Sequence, residues 1–541
     1  MLECPNCGSG LRFDIPSQMM ACDSCQNKFD PGSFDPNRTD GTETTDFDST
    51  VFTCPQCGGE IYSNDDTIAG FCSFCGASTV LTSRIQKTKR PNYLIPFRIT
   101  KEQCKQSYAS MMRKAIFAPK ALRDPQFIDG FRGIYMPYWT YYITQEGPIH
   151  LPGESSYRKG DYVYTERYDL SGDIHAYYKG LSFDASSSFD DNLSESLAPF
   201  DVKGMKEFTP AYLSGFYADT ADVDKEAYSS DALWRATDAS LDSLRESGYF
   251  ASFQYDVNTE KIDPGDLQTR TEQIDYSLYP VWFMSYRNKD RVAYATVNGQ
   301  TGRVVADLPI SPVRMFLTSL LPAIPFFFLL NMIFTLLPWR AMFAVAVLAI
   351  VVMGIYSAEL SAIIKRNEHA NDYGYLLRHN KKEAKKVSRQ KNTKIRLNRF
   401  HISGALGTLM FCGYGLFLLL GIYFVVYDWL QNLSGRTLPT ILWIVLFVAA
   451  IITGLAAYSS FDEIPGKEGS AGIISILVSI LVCGIIRFIA PVYDWIYYAA
   501  TLLLIAAILI QLADVIRAYN LLATRPLPQF EHKGGDDDAK D

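Results

Sequence analysis

The chain has 541 residues, 48% of them hydrophobic, a net charge of −7 and a mean hydropathy of −0.01. That length excludes a single small domain, and the balanced hydropathy conceals two unlike halves: residues 1–312 are polar and aromatic, while most of 313–516 is lipid-soluble. Eleven cysteines without a disulfide framework speak against a secreted disulfide scaffold, and with an opening Met1-Leu2-Glu3-Cys4 that carries no basic or apolar run the N-terminal part is expected in a reducing compartment, the cytosol.

Two four-cysteine units open the chain at a constant offset of 50 residues. Cys4, Cys7, Cys22 and Cys25 form the first (1–29), and Cys54, Cys57, Cys72 and Cys75 the second (54–83). Each unit has 14 residues between its CxxC pairs, and Gly8 and Gly58 follow the opening pairs. Two knuckles supplying four thiolates satisfy tetrahedral zinc, so the spacing predicts two zinc ribbons holding two structural Zn²⁺ ions. A rubredoxin-like iron centre and a redox dithiol remain alternatives. Neither unit is long enough to bury a core, so metal binding should supply its folding free energy, on the order of 10 kcal/mol.

Residues 30–53, rich in Asp, Thr, Ser and Gly, read as an acidic linker, and 84–91 as a short basic hinge. Over residues 1–91, twelve acidic side chains face seven basic ones, and each tetrathiolate zinc adds a formal −2. That sign disfavours nucleic acid as a partner, because binding phosphates requires their neutralisation.

A second module, 92–312, mixes helix and strand signals and is expected to be α+β. Residues 101–117 read as a helix with Thr100 as N-cap and Gln103 at the capping-box position. Residues 133–144, 162–168, 276–286 and 291–297 are strand-like, 209–217 and 223–247 helix-like, and Asn298-Gly299-Gln300-Thr301-Gly302 is a turn leading into 303–307. Pro137-x-Trp139 and Pro280-x-Trp282 echo each other, as Trp-anchored core strands or as the lining of an aromatic ligand groove.

Tyr93-Leu94-Ile95-Pro96-Phe97-Arg98-Ile99-Thr100-Lys101-Glu102, Phe117-Ala118-Pro119-Lys120-Ala121-Leu122, Gly133-Ile134-Tyr135-Met136-Pro137-Tyr138-Trp139 and Asn298-Gly299-Gln300-Thr301-Gly302-Arg303-Val304-Val305-Ala306-Asp307-Leu308-Pro309 resemble the landmarks of a bacterial family of membrane proteins. Its members carry a TFIIB-type zinc ribbon before an α+β domain and a membrane anchor. The resemblance covers residues 1–312. It implies a non-catalytic role beside the membrane, with SPFH-domain or phage-shock-type membrane-stress proteins as partners. The second ribbon and the multi-pass tail depart from that pattern.

Apolar runs of spanning length follow at 316–337, 341–364, 403–427, 438–458, 471–490 and 493–516, six spans in a transmembrane domain of 313–516. The loop 365–399 carries twelve basic and three acidic residues, so the positive-inside rule puts it in the cytosol, with both termini on that side of the inner membrane. The same loop is a candidate surface for anionic lipid. Trp339, Trp429 and Trp495 mark the opposite interface. Glu359, Arg487 and Asp514 lie near span ends rather than at mid-bilayer, which favours a structural bundle over a transporter.

Six scattered histidines, no GxxxxGKS/T loop, no HExxH, no GxSxG and no dinucleotide fingerprint leave no catalytic motif. The expected architecture is multi-domain: two small zinc ribbons, an α+β cytosolic domain, an all-α six-span bundle and a tail at 517–541. The expected function is a non-enzymatic multi-pass scaffold presenting zinc ribbons to cytosolic protein partners. A nucleic-acid-binding membrane protein and a transporter are its rivals.

Overall fold

A computed structural model describes residues 2–34, 46–63, 72–77, 82–189, 191–246, 256–257, 262–333, 337–364, 437–462 and 470–528. The expected span at 403–427, the basic loop at 365–399 and the end of the tail lie outside them. The first ribbon is a small antiparallel sheet of β1 (Leu11–Asp14), β2 (Met19–Cys22) and β3 (Lys28–Phe29), with Leu11 paired to Cys22 and Met20 to Phe29. It does not stand apart. Phe13 packs on Tyr212 at 5.0 Å between ring centres, its N–H donates to Ser214, and Gln18 Nε2 donates to the Phe97 carbonyl at 2.7 Å.

The second ribbon is built into the main sheet. Here β4 (Asp46–Thr53) pairs antiparallel with β5 (Glu60–Ser63) and with β6 (Thr82–Lys89), and β5 pairs with a strand of the following domain. Of the expected linker, Asp46–Thr53 is therefore strand and Pro31–Phe34 a 3-10 turn, and most of the expected hinge is strand. Their composition misleads for a physical reason: β6 ends the strand order, so Arg84, Lys87 and Lys89 mark an edge, where charge discourages pairing with other chains.

The following domain starts with β7 (Tyr93–Leu94), then α1 (Lys101–Lys114), α2 (Pro125–Ile128), β8 (Arg132–Lys159) and β9 (Tyr162–Asp184). After α3 (Asp191–Leu197) and β10 (Lys206–Glu207) come β11 (Tyr217–Asp219), α4 (Ser229–Glu246), β12 (Asp256–Val257), β13 (Thr269–Asn288), β14 (Arg291–Asn298) and β15 (Val304–Ala306). The capping box at α1 is complete: Thr100 accepts from the Gln103 N–H, and Gln103 Oε1 accepts from the Thr100 N–H at 2.9 Å. The 209–217 segment is instead a 3-10 turn, Pro210–Leu213, running into β11; Gly215, at φ +93, breaks any helix there.

Two β-α-β-β copies make up this domain and exchange their first strands. The first is β7, α1, β8 and β9; the second is β11, α4, β13 and β14. The long strands β8 and β13 pair antiparallel at the centre, β7 lies parallel to β13, and β11 lies parallel to β8. Each proline of the Pro-x-Trp echo sits where its strand changes neighbours. Along β8, pairing with β11 stops at Tyr135 and pairing with β9 starts at Tyr138; along β13, pairing with β7 stops at Leu278 and pairing with β14 starts at Val281. A residue without an N–H belongs at such a gap. Pro137 accepts from the Ala185 N–H and Pro280 from the Gly299 N–H, each at 2.8 Å. Ala185 then accepts from Asp222 and Val223, as Gly299 accepts from Arg98 and Ile99. Val223 and Ile99 in turn accept from the indoles of Trp139 and Trp282, both at 2.8 Å.

The C-terminal helices are α5 (Pro312–Ile333), α6 (Pro338–Ile364), α7 (Thr437–Asp462), α8 (Ser470–Ile489) and α9 (Asp494–Leu522). Three described stretches are long and apolar enough to cross a membrane, Pro338–Ile355, Ala471–Ile489 and Asp494–Leu522, and Trp443–Tyr458 is a shorter apolar one. Met342, Ala346, Ala349, Ala450, Ile476 and Leu504 form their shared core. At Gly472 α8 comes so close to α9 that a Cβ would lie 2.4 Å from the Gln511 Cα.

Both ends of this bundle meet the soluble domain. At the start, Ser311 donates to Phe117 and Arg314 to the Ala118 carbonyl at 2.9 Å. At the finish, Asn520 exchanges two hydrogen bonds with Ile310, Arg291 grips Leu521 and Thr524, and Arg525 meets Asp307. A last strand, β16 (Arg525–Pro526), pairs with the start of β14.

Candidate metal centres

The eight cysteines gather into the two groups expected, each with sulfurs within 4.8 Å of one another. In the first, Cys4 and Cys25 stand 3.6 Å apart and Cys7 and Cys22 3.4 Å; in the second, Cys54 and Cys75 are 3.8 Å apart and Cys57 and Cys72 3.7 Å. A disulfide needs about 2.05 Å, so these thiols are unbridged. A zinc ion with thiolates at about 2.3 Å has tetrahedral edges near 3.8 Å. The spacing is that of a four-sulfur shell around one ion, and each group could hold one metal ion.

Local backbone explains why the spacing works. In all four knuckles the residue after the second cysteine adopts positive φ and donates back to the first: Gly8 to Cys4, Gln26 to Cys22, Gly58 to Cys54 and Gly76 to Cys72, at 2.8 to 3.0 Å. Glycine suits that conformation; Gln26, at φ 57, is the exception and had no signal in the sequence.

The centres differ in exposure. All four cysteines of the second are buried, among Phe52, Ile61 and Phe74. In the first, Cys4 and Cys22 are buried, Cys25 is half-buried and Cys7 is exposed. The Ser9 N–H, the Ser9 hydroxyl and the Cys22 sulfur draw the Cys7 thiol down to about 6. In the second centre the Cys57 contact holds Cys54 low and pushes Cys57 itself up. Four buried sulfurs sharing charge in this way are a poor set of free thiols and a good ligand shell for a dication. Burial pushes the Cys104 thiol up, which removes its reactivity.

Of the two readings of the Pro-x-Trp echo, the tryptophans go to the core: Trp139 is 4% and Trp282 5% exposed, with both indoles bonded. The tyrosines beside them face the other side. Tyr138 and Tyr279 stack at 4.4 Å and line a cleft of about 270 Å³ with Ser182, Ser194, Glu195 and Arg235. In the bundle, the Asp514 carboxylate accepts from the Gly472 N–H at 2.7 Å, capping the start of α8, while Arg487 lies against Trp339. The two do not meet.

No family model matches the chain, and no solved structure matches it. It is 28% identical over 313 residues to the uncharacterized protein YdjG of Bacillus subtilis (strain 168), an alignment covering 57% of this chain and 90% of that protein.

Proposed function

We propose that this chain is a non-enzymatic, six-span membrane scaffold whose two zinc ribbons and α+β domain, held at the cytosolic face, dock protein partners. The observation that carries the reading is the continuity of its parts: the second ribbon is strand-paired into the domain sheet, and that domain is bonded to both ends of the apolar bundle. A module tied down in this way is displayed at a bilayer surface. SPFH-domain or phage-shock-type proteins are the partner class the family resemblance suggests. An all-sulfur shell suits Zn²⁺, a borderline-soft ion without geometric demands of its own.

Parity supports a count of six spans. α5 leaves the soluble domain and α9 returns to it. Trp339 at the start of α6 touches Arg487 at the end of α8, and Phe343 touches Trp443 near the start of α7, so these ends lie on the far side. With α6 ending at Ile364 toward the near side and α7 beginning at Thr437 on the far side, the apolar run at 403–427 fits as one further span. On this reading the basic loop shares the domain's side, which the positive-inside rule assigns to the cytosol.

The test is purification of the full chain from membranes, wild type against Cys4→Ser and Cys54→Ser, with metal analysis and identification of co-purifying proteins. Two zinc equivalents and a partner set lost with the ribbons are expected. An unchanged partner set in both variants rejects the ribbons as the docking surface.

A further inference from the structure

The connection between α1 and α2 lies where the soluble domain meets the bundle, and the scaffold reading gives it no task. Its carbonyls at Phe117 and Ala118 accept from the Ser311 N–H and from the Arg314 side chain, each at 2.9 Å, and α5 begins at Pro312. Residues 115–120 are thus fixed beside the first turn of a helix read as a span. The loop is also held in shape from beneath. Ala115, Ala118 and Leu122 are buried, Arg123 donates to the Ala115 carbonyl at 2.7 Å, and the Tyr108 hydroxyl donates to the Leu122 carbonyl at 3.2 Å. The bonds of Ile310 and Arg291 to the end of α9 give the domain a second tie, so the loop cannot swing away from the helix ends.

What the loop turns outward is cationic and apolar. Arg113, Lys114, Ile116 and Lys120 are exposed, and no acidic residue occurs from Met111 to Arg123. Among the described residues none of these three cations takes part in an ion pair. Arg113 and Lys114 suit the negative end of α1, but that leaves Lys120 and Ile116 without a role. Ile116 is 46% exposed; among the described residues of 92–312 outside the β8–β9 hairpin, it is the one large apolar side chain left so open. Val313, in the first turn of α5, is 67% exposed and carries the apolar surface on into the span. Three cations around an isoleucine at the mouth of a span match a leaflet in which anionic headgroups overlie hydrocarbon.

We propose that Arg113, Lys114, Ile116 and Lys120 form a docking surface for anionic phospholipid in the leaflet next to the soluble domain, with Ile116 reaching below the headgroups. This rests on the reading of α5 and α9 as membrane spans. An acidic protein would have to displace the bilayer that then lies against these residues. The surface is distinct from the basic loop at 365–399.

The full chain in lipid nanodiscs tests it, with a photoreactive benzophenone amino acid replacing Ile116 and lipid adducts counted by mass spectrometry after illumination. Adducts are expected in phosphatidylglycerol nanodiscs. Combining Arg113→Gln, Lys114→Gln and Lys120→Gln should lower their yield by about fivefold or more, since a single charge near an anionic leaflet contributes about that factor. The same group at Tyr157, at the tip of the β8–β9 hairpin, should give none. No adduct at 116, or a yield that the triple variant leaves unchanged, overturns the surface. Equal yields in phosphatidylcholine nanodiscs overturn the anionic headgroup as its ligand. Should the substituted chains fail to assemble, hydrogen exchange of the wild type carries the test: residues 113–120 should exchange more slowly in phosphatidylglycerol than in phosphatidylcholine nanodiscs, and equal exchange overturns the proposal. Alkaline carbonate treatment of membranes tests spanning independently, and release of the chain there would refute the spans on which the docking surface rests.

Discussion

At the scale of single residues, the difference between the metal centres is the most consequential detail. Cys7 is exposed and Cys25 half-buried, whereas Cys54, Cys57, Cys72 and Cys75 all lie inside a packed cluster. A chelator reaches the first shell directly and the second only after local opening. Titration with a chromogenic chelator should therefore release metal in two phases, one equivalent promptly and one slowly. Simultaneous release of both would mean that the centres share one opening event. The cysteines themselves were legible because a four-ligand shell imposes its spacing on the chain, and Gly8 and Gly58 because positive φ favours glycine. Gln26 was not legible: its conformation is imposed by the Cys22 turn and not by its own preference.

Among the elements, the hairpin of β8 and β9 stands out. Past a bulge at Tyr141/Tyr142 it is paired continuously to Lys159 and Tyr162, across a two-residue Gly160-Asp161 turn. β13 accompanies β8 only as far as Gln145, and a small cluster around Ile149, Leu151, Leu170 and Leu241 supports the next part. Beyond Gly153 the arm projects into solvent, with Tyr157, Tyr162 and Val163 exposed. Because β8 runs antiparallel to β13, and β13 ends near the Arg291 clasp, the arm points away from the bundle. Limited trypsin treatment of the folded chain should cut first at Arg158 or Lys159 and leave the remainder intact. Resistance there under conditions that nick other sites would mean the tip is covered.

The sequence reading found only the two ends of this hairpin, 133–144 and 162–168. Pro148 and Pro152 interrupt the strand signal between them, yet a two-stranded arm tolerates proline opposite Asp173 and Asp169. Beyond Gly153, where both faces are wet, the alternation that marks a half-buried strand also disappears. The helix at α1 was readable for the opposite reason, since its cap is local and carried by Thr100 and Gln103 alone. α4 begins at Ser229 and not at Val223, because Val223 is engaged by Trp139 and Ala185, long-range contacts that no window of sequence displays.

For the whole molecule, orientation is the property with the sharpest consequence. Both bundle ends bond to the soluble domain, so every described helix has a near and a far end. A cysteine introduced at Gly435, outside the described residues, should react with a membrane-impermeant maleimide in intact cells, and one introduced at Lys467 should not. The reverse pattern would invert the protein in its membrane. The three described apolar stretches of spanning length were visible in hydropathy, because lipid demands uninterrupted apolar length. The clasp of Arg291, Asn520 and Arg525 was invisible, since it joins residues more than two hundred positions apart.

The exchanged first strands also constrain how the chain is made. Tyr93 has only the two-residue β10 beside it, through Glu207, until Ser277 arrives, and Tyr217 completes the edge of a strand that began at Arg132. Neither copy can close as it leaves the ribosome, so the aromatic interior stays open until β14 has been synthesised. Only the short β15 then separates it from α5, the first of the C-terminal apolar helices. Closure of the aqueous domain and delivery of the chain to the insertion machinery fall in the same interval of synthesis, and the Arg314 contact with Ala118 sits at the seam between them.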